Sequence, residues 1–110
     1  MGDTMAIHYF RFEAVPLADN PEGKLYKGAL VNCWVNSRDE ELALNGAINY
    51  VRDNEGWEVI RVEEQSIADR SRYEGDSELE ESLECFDQAV RDGIGVILYT
   101  WDSDDEEDDM

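Results

Sequence analysis

Residues 94–101 read Ile94-Gly95-Val96-Ile97-Leu98-Tyr99-Thr100-Trp101. Apolar side chains occupy odd and even positions alike, so a strand here buries both of its faces. It reads as a central strand, or as one covered on both sides. Gly93 just before it suits the left-handed end of a helix. Gly95 inside it suits a close backbone approach. The Gly93-Ile94-Gly95 fragment leaves a helix and enters a strand, the reverse of the order in a nucleotide-binding loop.

Upstream, Leu79, Leu83, Phe86 and Val90 recur at i, i+4, i+7 and i+11. That spacing predicts a helix with one apolar face. Glu80, Glu81, Glu84 and Asp87 fall on the opposite side. Ser77-Glu78-Leu79-Glu80 has the form of a capping box. Residues 68–76 are polar and irregular, and Gly75 interrupts them. Before them, WEVIRVEEQSI reads as a strand from Trp57.

The same logic repeats toward the start of the chain. Ser37-Arg38-Asp39-Glu40 is a second capping box, followed by an apolar stripe of Leu44, Ala47, Ile48 and Val51. Gly56 is the expected stop. Residues 25–36 alternate Ala29, Val31, Cys33 and Val35 with Leu30, Asn32, Trp34 and Asn36, the period of a strand. Residues 5–15 alternate in the same way, with His8, Phe10 and Phe12 on one face. Pro16 and the run Asp19-Asn20-Pro21-Glu22-Gly23 are turn chemistry. The first two strands therefore form an antiparallel hairpin with a long loop.

The order is β-β-α-β-α-β. Each helix bridges two strands with a crossover long enough for a parallel pair, and such crossovers are right-handed. This predicts an α+β fold: a two-layer α/β sandwich with both helices on one face of a four-stranded mixed sheet, a variant of the ferredoxin-like arrangement. One domain is expected over 1–101, with 102–110 a disordered acidic tail. The second sheet face would then carry Tyr9, Trp34 and Trp57 or Trp101. Those rings are either half exposed, as a partner or dimer surface, or covered by the first loop or the 68–76 segment.

Charge narrows the function. The 110 residues include 28 acids, 9 bases and 1 His, a net charge of −19. Residues 74–87 hold 7 acids and no base, and so do residues 102–109. The remainder is close to ordinary, at −5. So acidic a chain disfavours direct contact with nucleic acid or anionic lipid, since both need Lys and Arg at phosphates. No apolar run reaches the ~18 residues of a membrane helix, and the first residues lack the pattern of a signal peptide. Cys33 and Cys85 are distant in sequence and read as reduced thiols of a cytoplasmic protein.

Catalytic and metal chemistry is poorly supplied. His8 has no second His or Cys at ligand spacing, so no metal or cofactor is expected. The tail from Asp102 alternates oxygen ligands but lacks the Gly and the final Glu of a calcium loop. A His8–Cys33 pair would need something to lower the thiol pKa, and no basic neighbour offers it. The expected function is therefore non-enzymatic. Glu78, Glu80, Glu81, Glu84 and Asp87, with Trp34, form a candidate surface for a basic protein partner. Inhibitors, immunity proteins and DNA mimics act this way. Over residues 74–87 the acids average roughly one per 3 Å of helix, close to phosphate spacing. The alternative is a structural or regulatory homodimer paired through the aromatic sheet face, with the acids serving solubility.

Overall fold

The computed structural model describes residues 5–102, excluding the side chains of Glu22, Lys24 and Asp102. Its strands are β1 (Ala6–Pro16), β2 (Tyr26–Ser37), β3 (Trp57–Ala68) and β4 (Ile94–Asp102). Its helices are α1 (Glu40–Tyr50), between β2 and β3, and α2 (Glu80–Asp92), between β3 and β4. The β-β-α-β-α-β order stands, with short 3-10 turns at Pro21–Lys24, Arg70–Arg72 and Ser77–Leu79. The acidic tail beyond Asp102 lies outside the described residues.

The four strands form one sheet in the order β3-β1-β2-β4, and every pair is antiparallel. The expected mixed sheet is corrected here. Since β2 and β3 both oppose β1, they run in the same direction, but β1 lies between them. The strands joined by α2 run in opposite directions, from one sheet edge to the other. No parallel ladder forms, and the element order differs from the β-α-β-β-α-β of a ferredoxin-like fold.

Strand alternation decides which helix covers which face. On one face lie Phe10, Phe12 and Ala14 of β1, Val31, Cys33 and Val35 of β2, and Val96 and Leu98 of β4. Ala43, Ala47 and Val51 of the first crossover pack on them. The opposite face presents Ile7, Tyr9, Trp34 and Ile97, packed against Cys85, Phe86 and Ala89 of α2. The helices therefore sit on opposite faces, not on one, and the sheet is covered on both sides. The apolar run at 94–101 lies on an edge strand, and its two faces are apolar because two helices cover it.

Tyr9, Trp34 and Trp57 are consequently buried rather than half exposed, and Trp101 is half-buried. Trp34 is only 1% exposed, so it offers no surface to a partner. The reading in which segment 68–76 covers these rings holds for Trp34, because Tyr73 closes over it.

Local signals explain the helix ends. Asp39, not Ser37, caps α1: its carboxylate accepts from the Leu42 N–H at 2.9 Å. The helix runs on through a π-helical turn, Val51–Glu55, and stops at Gly56 with φ of 80°. Before α2, Asp76 accepts from the Glu78 N–H at 3.0 Å and caps the 3-10 turn. The expected Ser77 box is not formed. The apolar face of α2 is also rotated from expectation: Val90 is 54% exposed, and Cys85 and Ala89 are buried in its place.

Gly95 sets how closely α2 lies on β4. A Cβ there would collide with the backbone carbonyl of Cys85. Neither backbone can yield cheaply, so Gly95→Ala is expected to destabilise the domain by about 1–3 kcal/mol, as overpacking does. Gly46 is the opposite case. It sits inside α1 with nothing within 4 Å of a built Cβ. Gly46→Ala should stabilise by about 0.4–1 kcal/mol. Urea unfolding of the two variants measures both shifts, and their opposite signs are the expected result.

Candidate functional site

Helix α2 carries its acids on a fixed frame. Cys85, Phe86 and Ala89 anchor its inner face, and burying a ring such as Phe86 contributes about 1.5–3 kcal/mol. Glu80, Glu81 and Glu84 project from the helix and are exposed, and Glu78 is exposed on the turn just before it. None of these four is in an ion pair among the described residues.

Asp87 behaves differently. The Arg70 guanidinium grips it with two parallel bonds, Nε to Oδ1 at 2.9 Å and Nη2 to Oδ2 at 3.0 Å. The same guanidinium also bonds Glu74. Two of the seven acids in residues 74–87 thus share one cation, which offsets one of their charges. The free acids of the segment are sparser than the row read from the sequence. Among the expected site residues, Glu78, Glu80 and Glu84 are exposed and outside any ion pair among the described residues, Glu81 is exposed but accepts from the Tyr99 hydroxyl of β4, Asp87 is tied down, and Trp34 lies beneath the helix.

Beneath α2 is a feature that the sequence reading missed. Trp34 donates its indole N–H to the Tyr73 hydroxyl at 2.9 Å. The rings of Tyr9 and Trp34 are 5.2 Å apart, those of Trp34 and Tyr73 6.2 Å, and those of Tyr73 and Phe86 6.0 Å. Arg72 stacks its guanidinium over both Tyr9 and Tyr73, at 5.2 and 5.7 Å. It also reaches Ser66 and Glu64 on β3. The Tyr9 hydroxyl donates to the Asn32 amide oxygen at 3.1 Å, and Arg11 Nε donates to the same oxygen at 3.3 Å. All of these but Phe86 and Ser66, together with Leu79 and Ser82, line a cleft of about 200 Å³ between the sheet and the start of α2. Burial raises the Tyr9 pKa, with Arg11 acting against it. Tyr73 is the one aromatic residue in a polar stretch, which is the only hint of this cluster in the sequence.

The other titratable groups give little to catalysis. Burial pushes the Cys33 thiol well above its ordinary value. Cys85 is raised to about 11, by burial first and then by Glu81 and Glu84. A thiolate is disfavoured at both. His8 is buried, with Nε2 3.1 Å from the Ser37 carbonyl oxygen and Nδ1 without a partner. Among the described residues no group of three or more His, Cys, Asp or Glu is placed to hold a metal ion. No helix among them is long and apolar enough to cross a membrane.

No protein-family model matches the chain, and no match appears among curated proteins or solved structures.

The Arg70 clamp has a measurable signature. The guanidinium bonds hold the Asp87 carboxyl below its usual value of 3.8. A carboxyl lowered in the folded state stabilises above its unfolded pKa of about 3.9, and that contribution is lost as pH falls through the folded value. In Arg70→Ala the Asp87 midpoint should rise toward the ordinary range. Carbon-detected NMR titration of the carboxyl resonances reads the shift, and an unmoved midpoint would show that the clamp is absent in solution.

Proposed function

We propose that the protein is a non-enzymatic module that binds a basic protein partner through the outer face of α2. The observation that carries this reading is the group Glu78, Glu80, Glu81 and Glu84: exposed, in no ion pair among the described residues, and on or just before a helix fixed by a buried apolar back. Electrostatic complementarity of this kind favours rapid association and selects partner charge. An inhibitor or immunity protein suits this surface better than a DNA mimic, because Arg70 ties down two carboxylates of the row and offsets one of their charges. The two free cysteines support a reducing, cytoplasmic setting. A homodimer built on the aromatic sheet face finds no support, since Tyr9 and Trp34 are buried beneath α2.

The test replaces Glu80, Glu81 and Glu84 together by Lys. The partner is first captured from native lysate at low salt, identified, and purified. At about 0.2–1 kcal/mol lost per exposed charge pair, affinity should fall roughly 3-fold to 100-fold. Binding of the unaltered protein should also weaken between 50 mM and 500 mM salt. Calorimetry showing equal affinity for the triple variant would remove the proposal.

Glu84→Gln separates function from folding. Glu84 lies four residues after Glu80, a like-charge spacing that costs a helix about 0.2–0.5 kcal/mol. The substitution should leave thermal stability unchanged or slightly higher while weakening the partner. A loss of stability together with binding would instead mean that Glu84 is structural.

A further inference from the structure

The cleft beneath α2 presents three groups with donors that meet no acceptor among the described residues, beside the Ser82 hydroxyl, which can donate or accept. Asn32 is 8% exposed and sits in the middle of β2. Arg11 Nε can only donate, so the atom it meets at 3.3 Å must be the Asn32 amide oxygen. That fixes the amide orientation and turns its NH2 group the other way. The NH2 has no partner among the described residues, yet it is not among the buried atoms lacking one, so it is open to the cleft that Asn32 lines. Tyr73 accepts from Trp34, which leaves its own phenolic proton without an acceptor among the described residues. Arg11 also lines the cleft, and no carboxylate stands within ion-pair distance of its guanidinium among the described residues. The one carboxylate at the cleft, Glu64, is engaged by Arg72.

Arg11 is half-buried and the Asn32 NH2 is open to the cleft, so water can satisfy both in the free protein, and an anion would replace that water with charge-assisted bonds. An acceptor entering the cleft would satisfy all three groups at once. A single unpaired guanidinium matches a single negative charge, and its planar fork matches a carboxylate. A dianion such as phosphate would meet the repulsion of Glu64 as well. Liquid water occupies about 30 Å³ per molecule, so about 200 Å³ admits roughly six heavy atoms. Leu79, which is half-buried, supplies accessible apolar surface at the cleft, while Tyr9 and Trp34 are almost wholly buried behind it.

From this geometry we propose that the cleft between β1, β2 and the start of α2 binds a short-chain monocarboxylate, its carboxylate held by Arg11, the Asn32 amide and the Tyr73 hydroxyl. Its short apolar tail lies against Leu79. This site is independent of the acidic face of α2.

The test titrates sodium butyrate into the full chain and follows the Asn32 side-chain NH2 and Trp34 indole resonances by NMR. Saturable shifts at both are expected, with Kd on the order of 1 mM, as befits a ligand of six heavy atoms. Butyramide, which keeps the shape and loses the charge, should bind at least tenfold more weakly. Inorganic phosphate should not saturate the same resonances. Arg11→Gln should weaken butyrate at least tenfold. Arg11→Lys keeps the charge without the fork, and should weaken it severalfold with the fold retained. The triple Lys variant of α2 should bind butyrate no less tightly than the unaltered chain, which separates this outcome from that of the partner experiment. Linear, unsaturating shifts, equal binding of butyrate and butyramide, saturation by phosphate, or an unchanged response in both Arg11 variants would each overturn the assignment.

Discussion

The burial of Trp34 is the constraint on which the second half of the molecule depends. Its strand, β2, points Val31, Cys33 and Val35 to one face and Asn32 and Trp34 to the other. The first face is closed by α1 directly after the strand. The second face must be closed by residues far along the chain, and Trp34 supplies the reason for them to come. A buried indole needs an acceptor for its N–H. Tyr73 provides that acceptor, and Tyr73 in turn packs on Phe86 of α2. Segment 70–79, which looks like linker by composition, is thereby fixed as the lid of a second core. Gly95 completes the arrangement by letting α2 approach β4 to backbone contact.

Much of the local structure was legible in the sequence because it is encoded by local chemistry. Alternation marked the strands, Gly56 and Gly93 marked the helix stops, and the acids of α2 fell on its outer side. The layer arrangement was not legible, for a specific reason. The handedness rule concerns crossovers between parallel strands of one sheet. Only the first crossover joins strands of like direction, and β1 intervenes between them. The second joins strands of opposite direction, to which the rule does not apply. The run at 94–101, apolar on both faces, already required cover on both sides. That requirement conflicts with two helices on one face, and the conflict was the better guide.

The site was legible only in part, and the missing part is tertiary. Glu80, Glu81 and Glu84 could be placed on one face by helical period alone. The pairing of Asp87 with Arg70 spans 17 residues of sequence and crosses an irregular segment, so no spacing rule anticipates it. The cleft assembles Tyr9 and Arg11 from β1, Asn32 from β2, and Arg72 and Tyr73 from the segment before α2. In the sequence these basic residues look like counter-charges to an acidic chain. Arg70 and Arg72 do serve that purpose. Arg11 does not, and it is this exception that gives the cleft a chemistry of its own.

The acids of α2 do not all admit the same explanation. Glu80 and Glu81 lie in the first turn, where the exposed backbone N–H groups and the helix dipole favour negative charge. Their presence is accounted for by helix formation, whatever else they do. Glu84 has no such local reason. It lies beyond the first turn, where the dipole contribution has faded, and it faces a like charge, Glu80, at i−4, while Asp87 at i+3 is held by Arg70. Its nearest cation by helical spacing, Arg91, is a full seven residues on and pairs with Asp92. Local physics thus gives no reason for Glu84, and such positions are where function is sought first. Glu84 therefore carries more of the functional argument than its more numerous neighbours. The proposed partner surface would account for it, by placing a partner's cation against the middle of α2.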